Sequence, residues 1–309
     1  ILWASVTGVA AAVAIILVLR AMMISSQPEI IKVFQANHIA REVTLQVNDE
    51  KEIKPLKEVV ESLSSYSTAQ LSSKEIDYSR ALLQTETKEV GKQKVQIHRL
   101  SIPRGETFKV VLSEGTEVFL NSDSRLAYPT VFKGKERVVS LEGEAYFKVA
   151  KDAAHPFIVK SGNLQIRVLG TEFNINAYPE NGQIFTTLVE GSVKVAGMMS
   201  DTAVVLQPRQ QAALLGGNIR VREVNPEDYI TWINGRFYFE RMPLEEILLQ
   251  LERWYDLHVF WASEELKSYE FTGAVWRDNS IRQTLDMIEK TTDVCFTVSG
   301  RTVTVTASL

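Results

Sequence analysis

The sequence predicts a mainly β protein with a smaller α+β domain at its C-terminal end and one transmembrane helix before both. Three observations support this fold class. An uncharged apolar run opens the 309-residue chain. Between residues 98 and 225, short segments rich in β-branched and aromatic residues recur at intervals of about 8–12 residues. From residue 226 onward, two helical periodicities alternate with strand patterns. A chain of this length has room for about two domains.

The composition excludes several function classes. The chain carries 34 Lys plus Arg and 38 Asp plus Glu, a formal net charge of −4, whereas nucleic-acid binding favours a clustered basic excess. Cys295 is the single cysteine and has no intrachain partner for a disulfide. The four histidines (His38, His98, His155 and His258) are scattered, and no Cys/His spacing suggests zinc. No metal site, cofactor or nucleic-acid partner is therefore predicted.

The transmembrane prediction covers residues 1–24. Ile1 to Leu19 contains neither a charge nor a proline, and at about 1.5 Å per residue it matches the hydrocarbon thickness of a bilayer. Trp3 and Arg20 suit the two interfaces. A signal peptide is the alternative, but the run exceeds about 7–15 residues and no basic segment precedes it. Because the chain starts at Ile1, we expect it to be the C-terminal portion of a longer protein.

Residues 25–97 are predicted to form a juxtamembrane connector. Val43, Leu45 and Val47 alternate with polar neighbours, as in a half-buried strand, and 52–56 would be the returning strand of a β-hairpin. The segment 61–74 contains six serines and is predicted to be a surface loop.

Residues 98–225 are predicted to form an all-β domain, either a sandwich or a curled sheet. The strands are expected at 107–112, 116–120, 137–141, 145–149, 157–160, 164–169, 172–177, 184–189 and 192–195, with two or three more between 206 and 224. The dipeptide Glu-Gly stands just before a predicted strand at Gly115, Gly143 and Gly191, where a glycine permits a positive φ or a bulge.

Residues 226–309 are predicted to form a domain of order β-α-β-β-α-β-β. After Pro243, an apolar stripe at helical spacing predicts a helix that packs on a sheet; it comprises Leu244, Ile247, Leu248, Leu251 and Tyr255. Ser280 with Gln283 three residues on predicts a capping box at the start of the second helix.

Two tryptophans of this domain are candidates for partner binding. Trp254 lies off the apolar stripe of the first helix, and Trp261 alternates with Phe260 on the next strand. We expect one member of each neighbouring aromatic pair to point outward, and exposed tryptophans often anchor interfaces. Core packing is the alternative, as is addition of a partner strand at a sheet edge.

Several segments resemble the FecR family of transmembrane anti-sigma regulators. The runs IPRGETFKVVLSEGTEVFLN (102–121), LEGEAYFKVA (141–150), HPFIV (155–159), VLGTEFN (168–174) and LVEGSVKV (188–195) are similar to the family's periplasmic domain. The segments GRFYF (235–239), LERWYD (251–256) and FTG (271–273) are similar to the C-terminal domain of its Bacteroidetes branch, which resembles the short N-terminal signalling domain of secretins and TonB-dependent receptors.

The resemblance implies a topology and partners. It implies an inner-membrane protein with one span, with residues after about 25 in the periplasm. It also implies relay of the state of an outer-membrane TonB-dependent transporter, through that transporter's signalling domain, to a cytoplasmic ECF sigma factor. Sigma binding would belong to an N-terminal part that this sequence lacks.

The resemblance also singles out Gly170 and Thr171. Some relatives cleave themselves at a Gly-Thr bond in a motif like VLGTEF (168–173), by attack of the threonine hydroxyl on the preceding carbonyl. A structural turn between two strands is the alternative. Catalytic motifs such as G-x-S-x-G, H-E-x-x-H or a P-loop are absent from the sequence. An enzyme is therefore disfavoured, and a periplasmic glycan- or protein-binding module is the second hypothesis after the regulator.

Overall fold

The computed structural model describes residues 42–48, 53–63, 70–79, 95–198 and 202–308. Within those residues no helix has the length and apolar character that a membrane span requires. The predicted transmembrane helix at 1–24 lies outside them.

The described chain is mainly β-strand. The strands are β1 Thr44–Val47, β2 Lys54–Pro55, β3 Gln70–Leu71, β4 Glu75–Asp77, β5 Ile97–Ile102, β6 Phe108–Val111, β7 Glu117–Leu120, β8 Ser124–Pro129, β9 Arg137–Lys148, β10 Phe157–Ser161, β11 Leu164–Val168, β12 Glu172–Ala177, β13 Ile184–Glu190, β14 Val193–Gly197, β15 Ala203–Leu206, β16 Gln210–Leu215, β17 Asn218–Glu223, β18 Arg236–Pro243, β19 His258–Trp261, β20 Glu270–Trp276, β21 Val294–Ser299 and β22 Thr302–Ala307. The α-helices are α1 Leu56–Leu63, α2 Leu244–Tyr255 and α3 Ile281–Glu289.

Strands β1 to β17 form two facing sheets that share one strand. The first sheet runs β2-β1-β5-β8-β9-β10-β11-β14-β15. The second runs β3-β4-β6-β7-β9-β12-β13-β16-β17. Inward side chains of both sheets build one apolar core, which extends from Leu45 to Leu214. The all-β prediction is thereby confirmed, as a sandwich.

Strand β9 corrects the prediction of two separate strands at 137–141 and 145–149. Its first half pairs with β8 and β10, and its second half pairs with β7 and β12. Gly143 sits where β9 passes from one sheet to the other, with φ of +91°. A Cβ at this position would lie 2.5 Å from Ser124 Oγ. The predicted corner glycine is present, but it bends a continuous strand where the two sheets approach closely.

The connector predicted over 25–97 is wrong in its described parts, which belong to the sandwich. The hairpin of β1 and β2 is present, yet β1 also pairs with β5 and β4 pairs with β6. Part of the segment predicted to be a serine-rich surface loop is instead the end of helix α1. This helix is stabilised because Leu56 and Val59 bury one of its faces in the core. The rest of the interval 25–97 lies outside the described residues.

The C-terminal residues adopt the predicted order β18-α2-β19-β20-α3-β21-β22. Strands β18 and β20 form one antiparallel pair, and β19, β22 and β21 form a second small sheet. The stripe of α2 and the residues Leu285 and Ile288 of α3 fill a separate apolar core. Ser280 Oγ accepts from Gln283 N, and the Gln283 side chain accepts from Ser280 N, which completes the predicted capping box.

Candidate functional site at the contact between the two cores

Helix α2 carries residues that face away from its own core. Gln250, Arg253 and Trp254 are buried, although none belongs to the apolar stripe. They are buried because this side of α2 packs on the β-sandwich. The helix therefore has two covered faces, one toward the C-terminal core and one toward the sandwich.

Arg253 is the central side chain of this contact. Its guanidinium lies 3.9 Å from the centroid of the Tyr178 ring, and its Nη1 donates to Glu180 Oε1 at 2.7 Å. Its Nη2 donates to Gln250 Oε1 at 3.1 Å, and its backbone carbonyl accepts from Gly105 N at 2.8 Å. Arg253 is 3% exposed, so solvent screens the pair with Glu180 weakly on the arginine side.

A buried carboxylate lies on the sandwich side of the same contact. Glu144 accepts from Asn121 Nδ2 at 2.8 Å and from Asn174 Nδ2 at 2.9 Å. Burial raises the pKa of Glu144, while the two amides and the positive charge of Arg253 act in the opposite direction. A buried carboxylate is tolerated because amide donors satisfy both of its oxygens.

The Tyr178 ring links this carboxylate to the arginine. Its hydroxyl donates to the Ser122 carbonyl at 2.6 Å, and burial together with the charge of Glu144 raises its pKa. The ring is thereby fixed in the sandwich while its face receives Arg253. An Arg stacked on a fixed aromatic face and paired with a carboxylate is a specific arrangement that lysine does not reproduce.

Two further arginines cross the same boundary. Arg104 of the sandwich donates to Asp123 Oδ2 at 3.1 Å and to the Leu257 carbonyl at 3.1 Å. Arg277 of the C-terminal domain donates to Thr107 Oγ1 at 3.2 Å and to the Gly105 carbonyl. Burial lowers the pKa of Arg277, which remains a cation because its ordinary pKa is very high.

An aromatic cluster completes the contact. Tyr146 of β9, Trp232 and Trp254 bury one another, with the Phe237 ring 6.0 Å from the Trp254 ring. The Tyr146 hydroxyl donates to Glu172. The contact thus combines a dry aromatic part with charge-assisted hydrogen bonds, the combination found in specific interfaces.

Of the two tryptophans predicted for partner binding, the structure exposes neither fully. Trp254 is 3% exposed and contacts the sandwich, and Tyr255 is half-buried, so neither member of the first pair is exposed. Trp254 points away from the stripe, as predicted, but a second domain covers that side. Trp261 packs against the C-terminal core, with Lys267 Nζ 5.7 Å from its ring centroid. In the second aromatic pair the exposed member is Phe260, at 61%. A partner-contact role for either tryptophan stays a prediction.

Gly170 and Thr171 lie between β11 and β12. Gly170 has φ of +153°, and a Cβ there would lie 2.7 Å from the Lys151 Cα, so only glycine fits. Thr171 is buried, and its hydroxyl donates to the Ser192 carbonyl at 3.0 Å. The neighbouring Glu172 accepts from Tyr146. The structure places the predicted pair at a constrained turn that packs against Lys151.

Sequence reasoning missed Arg253, Tyr178, Glu180 and Glu144. A positively charged residue near the C-terminal end of a helix is normally exposed to solvent, where it interacts favourably with the helix dipole. Glu144 follows the bend at Gly143, where the alternation that assigns faces to a strand is interrupted. The sequence held only a weak signal for these residues. Gln250 and Arg253 are three residues apart, so they lie on the same side of α2, next to Trp254. Together the three residues form a second packed face of the helix.

The β-sandwich and the docked α+β domain together define a two-domain protein whose domains meet through buried charges. Family models match both parts: the one described as "FecR protein" matches residues 98–194, and the one described as "FecR, C-terminal" matches residues 236–305. Together they span more than half of the chain. The chain belongs to the FecR family, which confirms the resemblance drawn from its sequence.

Solved structures agree with this assignment. Two crystal structures, at 1.65 and 2.50 Å resolution, of a protein from Parabacteroides distasonis ATCC 8503 with a suggested role as an anti-sigma factor are similar to this chain. They share 28% and 27% sequence identity with it, each at a TM-score of 0.64. The similarity covers 68% and 69% of this chain and 99% and 100% of theirs. No curated protein sequence matches the chain.

Proposed function

We propose that this chain is the membrane-spanning and periplasmic part of an anti-sigma regulator. In this proposal an N-terminal segment binds an ECF sigma factor in the cytoplasm, and residues 1–24 cross the inner membrane. The periplasmic domains report the state of an outer-membrane TonB-dependent transporter through that transporter's signalling domain. Membership of the FecR family supports the regulatory role, and the apolar run at the start of the sequence supports the topology.

The contact centred on Arg253 supports a role in relaying the signal. A partner that binds the C-terminal domain can influence the sandwich only through groups that join the two cores. Arg253, stacked on Tyr178 and paired with Glu180, is the most buried of those charged groups. The relay therefore works by strengthening or releasing this contact, a two-state element of the kind that signal transfer requires.

The test uses the full-length parent protein in its host, with a reporter of sigma-dependent transcription. Arg253→Ala is expected to make reporter activity insensitive to induction of the transporter, with the amount of protein unchanged on immunoblots. Arg241→Ala is the matched control, because Arg241 is an exposed arginine of the same domain that pairs with Glu270 at the surface. An Arg253→Ala protein that responds to induction as the parent does contradicts the relay role.

The alternative is a periplasmic glycan- or protein-binding module without a signalling role. Capture of the full chain by immobilised transporter signalling domains supports the regulator. Binding to glycan arrays without such capture supports the module.

Self-cleavage between Gly170 and Thr171 is a second candidate property, supported by the constrained Gly170 backbone. In this reaction the Thr171 hydroxyl attacks the Gly170 carbonyl carbon and the peptide C–N bond breaks. An ester to Thr171 Oγ1 forms and the Thr171 amine is freed; water then hydrolyses the ester. The hydroxyl must first leave the Ser192 carbonyl, to which it now donates.

Intact-mass spectrometry of purified protein, incubated with protease inhibitors, tests this property. A fragment that begins at Thr171 and disappears in Thr171→Ala supports cleavage. A chain still intact after several days assigns Gly170 a backbone role alone.

A further inference from the structure

A groove of about 850 Å³ runs over the outer face of the first sheet toward the turn that follows β12. It crosses β5, β8, β9 and β10 and ends at the turn between β12 and β13. Its volume is in the range of small-molecule sites.

The register of the strands builds the floor of the groove. Arg99, Ala127, Ser140 and Lys160 are successive cross-strand partners, so their side chains share one face of the sheet. Ala127 and Ser140 are small and lie between the long side chains of Arg99 and Lys160, so the surface is lower between these two cations and forms the floor of the groove. A ligand that lies across the strands would rest on Ala127 and Ser140, with Lys160 at one end and Arg125, two residues from Ala127 on the same face of β8, beside it.

The charge of the groove is opposite to that of the whole chain. Arg99, Arg125 and Lys160 line it together with one carboxylate, Glu142, which pairs with Arg125 at 2.6 Å. The chain as a whole has a net charge of −4. A local basic surface on an acidic protein attracts anionic ligands, whereas it neither attracts nor repels neutral ligands of the same size.

The uncharged lining favours a ligand rich in hydroxyl groups. Ser101, Ser140, Gln46 and Gln183 bring hydroxyl and amide groups to the walls, and these both donate and accept hydrogen bonds. Apolar side chains also line the groove, among them Ile53, Ile184 and Leu214. They can pack against the apolar faces of sugar rings, while the polar groups fix the orientation of the ligand.

One end of the groove touches the contact described above. Tyr178 and Pro179 line the groove, and the same turn holds Arg253 through the Tyr178 ring and the Glu180 carboxylate. A ligand that packs against this turn would change the freedom of the residues that hold the C-terminal domain.

We propose that this groove binds an acidic oligosaccharide, with sugar carboxylates on Arg125 and Lys160 and ring hydroxyls on the serine and glutamine side chains. We infer further that binding orders the turn at 178–183 and strengthens the hold on Arg253. The second statement rests on the proposed relay function, whereas binding itself does not.

Calorimetric titration of the full chain in detergent solution tests the binding. Trigalacturonic acid is the probe, maltotriose is the neutral sugar of equal length, and triglutamate is the acidic peptide of equal charge. Trigalacturonic acid is expected to bind at least tenfold more tightly than either. Lys160→Glu is expected to weaken it at least tenfold, and Lys194→Glu, an exposed lysine of the same sheet outside the groove lining, less than twofold.

Three results would overturn the proposed site. Equal binding of triglutamate would make it a peptide or simple anion site. Equal losses in the two lysine variants would indicate diffuse electrostatic attraction. Absence of binding at millimolar trigalacturonic acid would remove the site altogether.

Hydrogen exchange with bound trigalacturonic acid tests the coupling separately. Slower exchange is expected at 178–183 and in the last turn of α2. Slower exchange confined to the groove strands would overturn the coupling and leave the binding site in place, and it would not bear on the relay of a transporter signal.

Discussion

The sandwich core and the C-terminal core differ in how they treat buried polar groups. The sandwich encloses His98, whose Nδ1 lies 2.8 Å from the Tyr78 hydroxyl, and Glu144 with its two amide partners. The C-terminal core is apolar apart from Thr284, since Gln250 and Arg253 face the sandwich. The sandwich and its contact therefore depend on protonation states, whereas the C-terminal core depends on apolar packing.

The largest expected effect tests the apolar character of the C-terminal core. Leu251→Asp places a carboxylate where a leucine is 1% exposed, and it should cost about 4 kcal/mol or more of the free energy of unfolding. Calorimetry should show that only the sandwich still unfolds cooperatively, with a smaller enthalpy of unfolding than the parent protein.

Met287→Asp is the matched control for that change. Met287 is 42% exposed on α3 of the same domain, so the same carboxylate should alter the melting temperature little. Equal shifts for the two variants would contradict the assignment of the buried face of α2.

The next effect concerns the contact that joins the two cores. Arg253→Ala removes the cation from the Tyr178 ring, from Glu180 and from the neighbourhood of Glu144, and it should cost about 3 kcal/mol. The two cores should then melt separately. Arg253→Lys should restore little, because lysine cannot stack and fork in the same way. Full recovery of stability in Arg253→Lys would show that the contact depends on the positive charge alone.

A third effect is restricted to the sandwich and depends on pH. Burial lowers the pKa of His98 to about 4, below its ordinary value of 6.5. The unfolded chain therefore binds the proton more readily than the folded chain. Stability from the neutral imidazole is fully present above pH 6.5 and is lost as the pH falls toward 4, by roughly 3 kcal/mol in all.

Chemical unfolding at a series of pH values measures this dependence. His98→Gln should flatten the loss between pH 6.5 and 4, and His155→Gln, an exposed histidine beside Asp152, should leave it unchanged. An unchanged slope in His98→Gln would assign the acid sensitivity to other groups.

The smallest effect compares two glycines of the sandwich with nearly the same φ. Gly143 and Gly115 have φ of +91° and +89°, but a Cβ meets Ser124 at the first and nothing within 4 Å at the second. Gly115→Ala should cost about 1 kcal/mol of backbone strain. Gly143→Ala should cost about 1–2 kcal/mol more, from steric overlap. Equal urea midpoints for the two variants would show that the backbone at Gly143 shifts to accommodate a Cβ without a measurable loss of stability.

The sequence alone determined the elements whose signal is local. Alternation of apolar and polar residues located strands such as β11 and β12, and the Ser280–Gln283 pair located the start of α3. These features depend on side chains within a few residues of one another, so neither requires knowledge of the rest of the chain.

The tertiary structure decided which surfaces are covered. Trp254 and Arg253 are buried because the sandwich packs on a second face of α2, and the pattern of a single helix cannot reveal that neighbour. Likewise β9 is one strand in two sheets because its first half pairs with β8 and β10 and its second half pairs with β7 and β12. Burial and strand pairing depend on residues far apart in sequence, and the physical contact between them exists only once the chain has folded.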